Sequence, residues 1–209
     1  VYYRHDEGLR DRVVINPDDD ALFATAVDGL ALMPPVAGGE TRQQSVLNGL
    51  ESLADAPPDY VLIHDAARPF VSITEIDEVL SALADTAGAI SAIPVVDTLK
   101  RQSNAGFISE TLDRSGLWRA LTPQGFRYAD ILKAHRAAQG RNLTDDAAVA
   151  EAAGLDVALV TGQVQNFKIT TATDFALAEK ILMQTLSDIR VGQGVDAHRF
   201  AGTPPDNRF

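Results

Sequence analysis

Tyr60-Val61-Leu62-Ile63-His64-Asp65-Ala66-Ala67-Arg68-Pro69 is an apolar, β-branched run that stops abruptly at an acid, two alanines, an arginine and a proline. A short apolar run bounded in this way reads as a buried strand. In an open α/β sheet, ligands bind just beyond the carboxyl ends of the strands. Asp65 and Arg68 are therefore placed to touch a ligand, whereas the run before them is core. One stretch thus predicts both an α/β fold and the place where its chemistry sits.

Outward from this stretch, strand and helix patterns alternate, as in a mainly parallel sheet flanked by helices. Val13-Val14-Ile15 reads as a strand ended by Asn16-Pro17-Asp18, and Leu22, Phe23, Ala26 and Leu30 share one face of the next helix. Gly38 and Gly39 form a loop, and Val46, Leu50 and Leu53 follow at helical spacing. A helix is predicted over roughly 73–85 and a strand over Ala89-Ile90-Ser91-Ala92-Ile93. Residues 94–127 break this rhythm. The turn signal Ser103-Asn104-Ala105-Gly106 between two extended runs predicts a β-hairpin that leaves the domain body. An isolated hairpin is marginal in water, so a homodimer contact through this arm, at about 94–127, is expected.

Beyond the arm, a helix is predicted at about 128–139. Thr144-Asp145-Asp146 then reads as a hydroxyl N-cap with two acids in a first turn, and Gly154 closes that helix. Val157-Ala158-Leu159-Val160 and Phe167-Lys168-Ile169 read as short strands, and 173–186 as a helix packing Phe175, Leu177, Ala178, Ile181 and Leu182. After it the texture changes. Ile189 to His198 reads as a new strand with Asp196 and His198 on one side. The expected organisation is one domain over 1–187, then a linker and the opening of a second domain over 188–209. The sequence does not open on Met, so the expectation is a chain beginning inside a longer protein.

Hydrophobic residues at 45% and charged residues at 22% are ordinary for a soluble globular chain. Lys and Arg number 18 against 29 Asp and Glu, giving a net charge of -11 with no basic block, which argues against nonspecific nucleic-acid binding. No apolar run approaches the roughly 20 residues that span a bilayer. There is no cysteine, which excludes disulfides and thiolate chemistry and fits a cytoplasmic location.

No Ser-His-Asp arrangement can be drawn from the four scattered histidines. What stands out is a set of cations and hydroxyls at loop positions: Arg42, Arg68, Arg114, Thr122, Thr144 and Lys168. Phosphoryl transfer needs such a set, because its catalysis is mostly positioning and charge stabilisation. A phosphate nucleophile is already anionic near neutral pH and needs no general base. His64 is read as a packed or hydrogen-bonded residue, Trp118 as arm packing, and Lys168 as pointing opposite to Phe167 and Ile169.

Gly38-Gly39-Glu40-Thr41-Arg42-Gln43-Gln44-Ser45-Val46, the 64–69 stretch, Asp113-Arg114-Ser115-Gly116-Leu117-Trp118, Thr122-Pro123-Gln124, Thr144-Asp145-Asp146 and Lys168-Ile169-Thr170 occur in order. Together they resemble the 2-C-methyl-D-erythritol 4-phosphate cytidylyltransferases of non-mevalonate isoprenoid synthesis, over about residues 11–186. The tail from Arg190 to Phe200 is similar to the opening of 2-C-methyl-D-erythritol 2,4-cyclodiphosphate synthases, which some bacteria fuse behind the first enzyme. The resemblance implies a Rossmann-like nucleotidyltransferase with CTP and methylerythritol phosphate as substrates. It implies Arg114 and Lys168 as the catalytic cations. Asp65, Arg68, Thr122 and Thr144 become acceptor contacts, several of them across a dimer interface. Gly39, Glu40, Ser45 and Ala66 become nucleotide contacts. Mg²⁺ is implied with CTP, and Zn²⁺ or another divalent metal on Asp196 and His198 for the synthase part.

The family opens with a strand and a basic Gly-rich loop that cradles the triphosphate. Here the first strand is followed by Pro17-Asp18-Asp19-Asp20, the wrong charge for such a cradle. The N-terminal strand and loop are therefore expected to be missing from this stretch, with little turnover from it alone. The alternatives are another sugar-nucleotide nucleotidyltransferase, or a dimerising scaffold without catalysis.

Overall fold

In a computed structural model that describes residues 10–185, the chain enters through β1 (Val14–Ile15), stopped by Asn16, whose side chain accepts from the Asp18 N–H. A single 3₁₀ turn over Pro17–Asp19 leads into α1 (Asp20–Ala26). β2 (Val36–Ala37) pairs with β1 in parallel. The expected apolar face of the first helix is not buried: α1 stops at Ala26, short of Leu30, and buries no residue. α2 (Arg42–Glu51) starts where the Thr41 side chain accepts from the Gln44 N–H, and it buries Leu47 and Leu50.

The 60–69 stretch supplies β3 (Tyr60–Ile63), which ends where His64 and Asp65 begin. α3 (Ile73–Ala82) opens on a reciprocal capping box between Ser72 and Glu75. β4 (Gly88–Pro94) follows, and β5 (Lys100–Gln102) and β6 (Ile108–Thr111) pair as an isolated hairpin. Then come β7 (Trp118–Arg127), α4 (Tyr128–Ala137), α5 (Asp146–Ala152) and β8 (Val157–Thr161).

The four-stranded sheet has the order β3-β7-β4-β8. β4 and β8 are parallel, while β7 runs antiparallel to both β3 and β4. The sheet is therefore mixed rather than mainly parallel: β3, β4 and β8 share a direction and β7 runs against them. The break in rhythm over 94–127 places 118–127 in the predicted arm, and Pro123, which lacks a ladder donor, normally argues against an interior strand. A bulge resolves the conflict. The register passes from Ile90↔Gln124 to Ala92↔Ala120, so Leu121, Thr122 and Pro123 face the single residue Ser91. The arm proper is thus the segment between β4 and β7, and Trp118 pairs with Pro94 at its base.

Successive strand residues face opposite sides, and the core shows it. Ile63, Ile90 and Phe126 pack with Leu47 and Leu50 of α2, Ile131 of α4 and Val149 of α5 on one face. Leu62, Ala89, Ala158 and Val160 pack with Val79 of α3 and Leu83 on the other. Gly88 lies opposite Phe126, where a Cβ would come within 2.7 Å of the ring. The sheet thus lies between two layers of helices.

Two further expectations are corrected. Residues 167–169 form no strand. The cap of α5 is Asp145, which accepts from the Ala148 N–H at 2.9 Å, and not Thr144. An acid can both cap and complement the helix dipole, and Thr144 is left exposed one residue earlier.

The chain divides into two units, through Ile169 and from Thr170. The second is described through α6 (Ala172–Thr185), near whose start Asp174 accepts from the Thr170 and Thr171 N–H groups at 3.0 and 2.9 Å. Phe175 and Leu177 on it stay about half exposed. The expected strand, linker and metal ligands at 188–209, Asp196 and His198 included, lie outside the described residues.

Candidate active site

The chain turns sharply beyond β3, with the Arg68 N–H bonding the Asp65 carbonyl at 2.9 Å. The turn is tied down from several directions. The Asp65 N–H donates to Thr122 Oγ1 at 3.1 Å, and the Ile169 N–H donates to the Ala67 carbonyl at 2.8 Å. Thr122 reaches this position because it sits in the β7 bulge, a device that re-aims side chains beside functional sites.

His64 completes the frame. Nε2 lies 2.9 Å from the Arg68 carbonyl and Nδ1 2.9 Å from Thr122 Oγ1. A carbonyl only accepts, so Nε2 carries the proton. Burial then depresses the imidazole pKa, against the Arg68 carbonyl and Asp65, which raise it. The neutral ring leaves Nδ1 to accept from Thr122. As read from the sequence, His64 is bound into the frame.

Asp65 is the focus of the site. Lys168 Nζ lies 2.9 Å from Oδ2, Arg68 Nε 3.8 Å from the same oxygen, and Arg42 Nε 3.4 Å from Oδ1. Burial pushes the carboxyl pKa up, but the Lys168 hydrogen bond and the charges of Arg42, Lys168 and Arg68 outweigh it, so Asp65 stays below the ordinary carboxylate range. Arg68 also donates from Nη1 to the Asn166 carbonyl at 2.9 Å. Asn166 is itself buried and donates to Thr122 O at 2.8 Å and to Glu75 Oε1 at 3.1 Å. Glu75 further accepts from Ser91 Oγ at 2.9 Å and the Gln163 N–H at 3.1 Å. The loop carrying Lys168 is therefore anchored into the body, although no strand forms there.

Arg42 had no individual role in the sequence reading. Its Nη2 donates to Asp146 Oδ2 at 2.7 Å, and Asp146 Oδ1 meets His135 Nε2 at 3.1 Å. Gln124 Oε1 accepts from the Asp146 and Ala147 N–H groups, while its Nε2 donates to Asp145 Oδ2. The sequence signal for this network was the Thr-Asp-Asp start of a helix. Gln124 enters the sequence reading only within its motif, in a stretch read as arm and with no role.

Gly39, Glu40 and Ser45, which the resemblance assigns to the nucleotide, gather apart from Asp65. A cavity of about 520 Å³ opens beyond the carboxyl ends of β1 and β2, lined by Asn16, Pro17, Gly38, Gly39, Glu40 and Ser45 among others. Ser45 Oγ accepts from the Gly39 N–H at 3.0 Å and donates to the Thr41 carbonyl at 2.9 Å, fixing the loop. A Cβ on Gly39 would strike the Gln44 side chain, so this close turn requires glycine.

The structure thus brings together Asp65, Arg68, Thr122 and Lys168, and separately Gly39, Glu40 and Ser45. Ala66 is exposed at the turn beside the first group. Arg114 lies on the arm, exposed, with its guanidinium donating to the Val96 carbonyl. In the Asp65 cluster the cations Arg42, Arg68 and Lys168 outnumber the acids Asp65 and Asp146, which suits an anionic ligand. Among the described residues no three His, Cys, Asp or Glu converge as a metal cage, and Asp65 is already matched by cations. These residues do not fit a protein-built metal site. Among the described residues no helix is long and apolar enough to cross a membrane.

Comparisons with known proteins agree with this geometry. The family model described as 2-C-methyl-D-erythritol 4-phosphate cytidylyltransferase, IspD, matches residues 8–184. A protein of Rhodospirillum rubrum named bifunctional enzyme IspD/IspF is 57% identical over 189 residues, covering 90% of this chain and 49% of its own length. The chain thus spans about half the length of the curated relatives it matches. A crystal structure titled 4-diphosphocytidyl-2C-methyl-D-erythritol synthase superposes with a TM-score of 0.75 at 34% identity, covering 87% of this chain and 85% of its own. The Thermus thermophilus 2-C-methyl-D-erythritol 4-phosphate cytidylyltransferase gives 0.74 at 35%, covering 83% and 82%. A sheet whose order places Asp65 and Thr122 side by side, a fixed Gly38-Gly39 loop and a family match across nearly the whole described region converge on one answer: the chain belongs to the 2-C-methyl-D-erythritol 4-phosphate cytidylyltransferase family.

Proposed function

We propose that this chain provides the cytidylyltransferase part of a protein that joins methylerythritol phosphate to CTP. A phosphate oxygen of the acceptor attacks the α-phosphorus of CTP, the bond to the β-phosphate breaks, and pyrophosphate leaves as CDP-methylerythritol forms. Asp65 accepts from the acceptor's hydroxyl groups. Thr122, Arg68 and the exposed Thr144 add contacts, and Lys168 holds the acceptor phosphate. Arg114 joins it from an arm that pairs two copies of the chain, offsetting charge as the transition state forms. Gly39, Glu40, Ser45 and Ala66 hold the nucleotide. Mg²⁺ enters with the triphosphate, and no protein group is assigned to it.

The observation that carries this reading is Lys168 on Asp65 at 2.9 Å at the carboxyl end of β3. It pairs an acid suited to hydroxyls with a half-exposed cation suited to phosphate. Pyrophosphate release by the full-length protein tests it. The expected rate needs CTP rather than ATP, GTP or UTP, and methylerythritol phosphate as acceptor. A preference for another nucleotide or sugar phosphate assigns the site to a different nucleotidyltransferase.

The relatives named IspD/IspF support a bifunctional parent, with residues 1–187 as the transferase domain and 188–209 leading into a synthase domain, and the absence of cysteine fits a cytoplasmic location. Asp196 and His198 would ligate its zinc or other divalent metal. For residues 1–209 taken alone a second reading has its own support. Asp18, Asp19 and Asp20 follow directly after Asn16 and Pro17, which line the nucleotide-side cavity. Those acids repel a triphosphate, so this stretch by itself is a dimerising scaffold with little turnover.

A further inference from the structure

We propose that Arg42 is a positioning residue: anchored on buried Asp146, it sets the orientation of the Asp65 carboxylate from the residue that directly follows the Gly38-Gly39-Glu40-Thr41 loop. The inference rests on Asp65 being the acceptor-binding acid.

The anchor is rigid. The Asp146 side chain is 1% exposed, with one oxygen on Arg42 and the other on His135, itself buried. The Asp146 N–H is held by Gln124 Oε1 at 3.1 Å, and Gln124 is buried in an interior strand. Arg42 is equally fixed at its root. It is the first residue of α2, directly after the Thr41 cap, and Ser45 ties that cap to Gly39. One guanidinium thus has its Nη2 on the buried acid at 2.7 Å and its Nε on Asp65 at 3.4 Å.

The division of labour on Asp65 follows. Arg42 takes Oδ1, while Lys168 and Arg68 share Oδ2. Without Arg42 the carboxylate is free to turn, and both oxygens compete for Lys168, the cation assigned to the acceptor phosphate. A lysine at position 42 keeps the charge but lacks the planar fork that reaches two acids at once. The loss therefore falls on the acceptor rather than on CTP.

Arg42→Met and Arg42→Lys in the full-length enzyme, each alone and with Asp65→Asn, test this by steady-state kinetics with both substrates varied. Arg42→Met is expected to raise the acceptor KM about tenfold and lower kcat about tenfold, with the CTP KM within about threefold. Arg42→Lys recovers only part of the loss. In the Asp65→Asn background, Arg42→Met costs less than about twofold more, because it acts through Asp65. Losses that multiply, or a CTP KM that moves as far as the acceptor KM, overturn the proposal. Thermal melts of the same proteins show that the split is read on folded enzyme. Wild-type enzyme that releases no pyrophosphate from CTP and methylerythritol phosphate overturns the functional reading instead. The Arg42–Asp65 coupling is then read from denaturant melts of the same proteins, where additive losses overturn the clamp.

Discussion

At the scale of single residues, the site works by saturating one carboxylate with cations and holding the backbone around it. Lys168 is exposed enough to trade its partner for a phosphate, since its side chain is 42% exposed while Asp65 is 17% exposed. Lys168→Ala in the full-length enzyme is expected to lower kcat about 10²- to 10³-fold, the range seen when one preorganised electrostatic contact is removed. His64 makes a different prediction. Burial lowers its folded pKa below the unfolded value of about 6.5. Between the two values the unfolded chain carries the extra proton, so stability falls as pH drops below about 6.5 until the folded value is reached. His64→Gln removes that titration, and its unfolding free energy should lose the His64 share of the slope in this window. An unchanged slope assigns the titration to another group. Asp65, its pKa depressed, titrates in a separate window, contributing stability above its unfolded value of about 3.9 and losing it as pH falls through the lower folded value.

At the scale of elements, β7 explains both what the sequence disclosed and what it concealed. β3, α3, β4 and α4 were legible because their apolar patterns are local. β7 was not, because Thr122-Pro123-Gln124 carries turn chemistry and its partners lie far away in sequence. Only the bulge opposite Ser91 makes a proline tolerable in an interior strand. The same blindness hid Gln124 and the network at the start of α5. Lys168 is legible as a loop cation and through its motif, but the strand read around it does not form: the loop is held by Asn166 and Glu75. Glu75→Ala strands the donors of Ser91 and Asn166 in the interior and removes the acceptor of the Gln163 N–H, and should cost about 3 kcal/mol or more in denaturant melts. A loss below about 1 kcal/mol would show that water replaces the carboxyl. Gly125→Ala tests the packing of β7 itself. Its Cβ would lie 2.6 Å from Val79 Cγ1 and 2.9 Å from Leu62 Cδ2. Overpacking of this kind costs about 1–3 kcal/mol, and an unchanged melting midpoint contradicts the tight fit.

At the scale of the whole molecule, the arm is the feature that looks outward. Phe107 is 74% exposed and Ile108 68% on a hairpin that a monomer gives little reason to keep apolar. For the proposed arm-paired dimer, Phe107→Asp with Ile108→Lys is expected to shift the protein toward monomer in sedimentation and to lower kcat, because the proposed catalytic Arg114 is carried by the same arm. An unchanged dimer places the interface elsewhere. The proposed function needs the turn after β3, β7 and the Lys168 loop to form one acceptor site for cytidylyl transfer. Its most direct test is the initial rate of pyrophosphate release from CTP by the full-length enzyme and its Asp65→Asn variant, with methylerythritol phosphate varied. Release is expected to depend on both substrates, with an acceptor KM raised at least about tenfold in Asp65→Asn and the CTP KM little changed. Wild-type kinetics in that variant would contradict it.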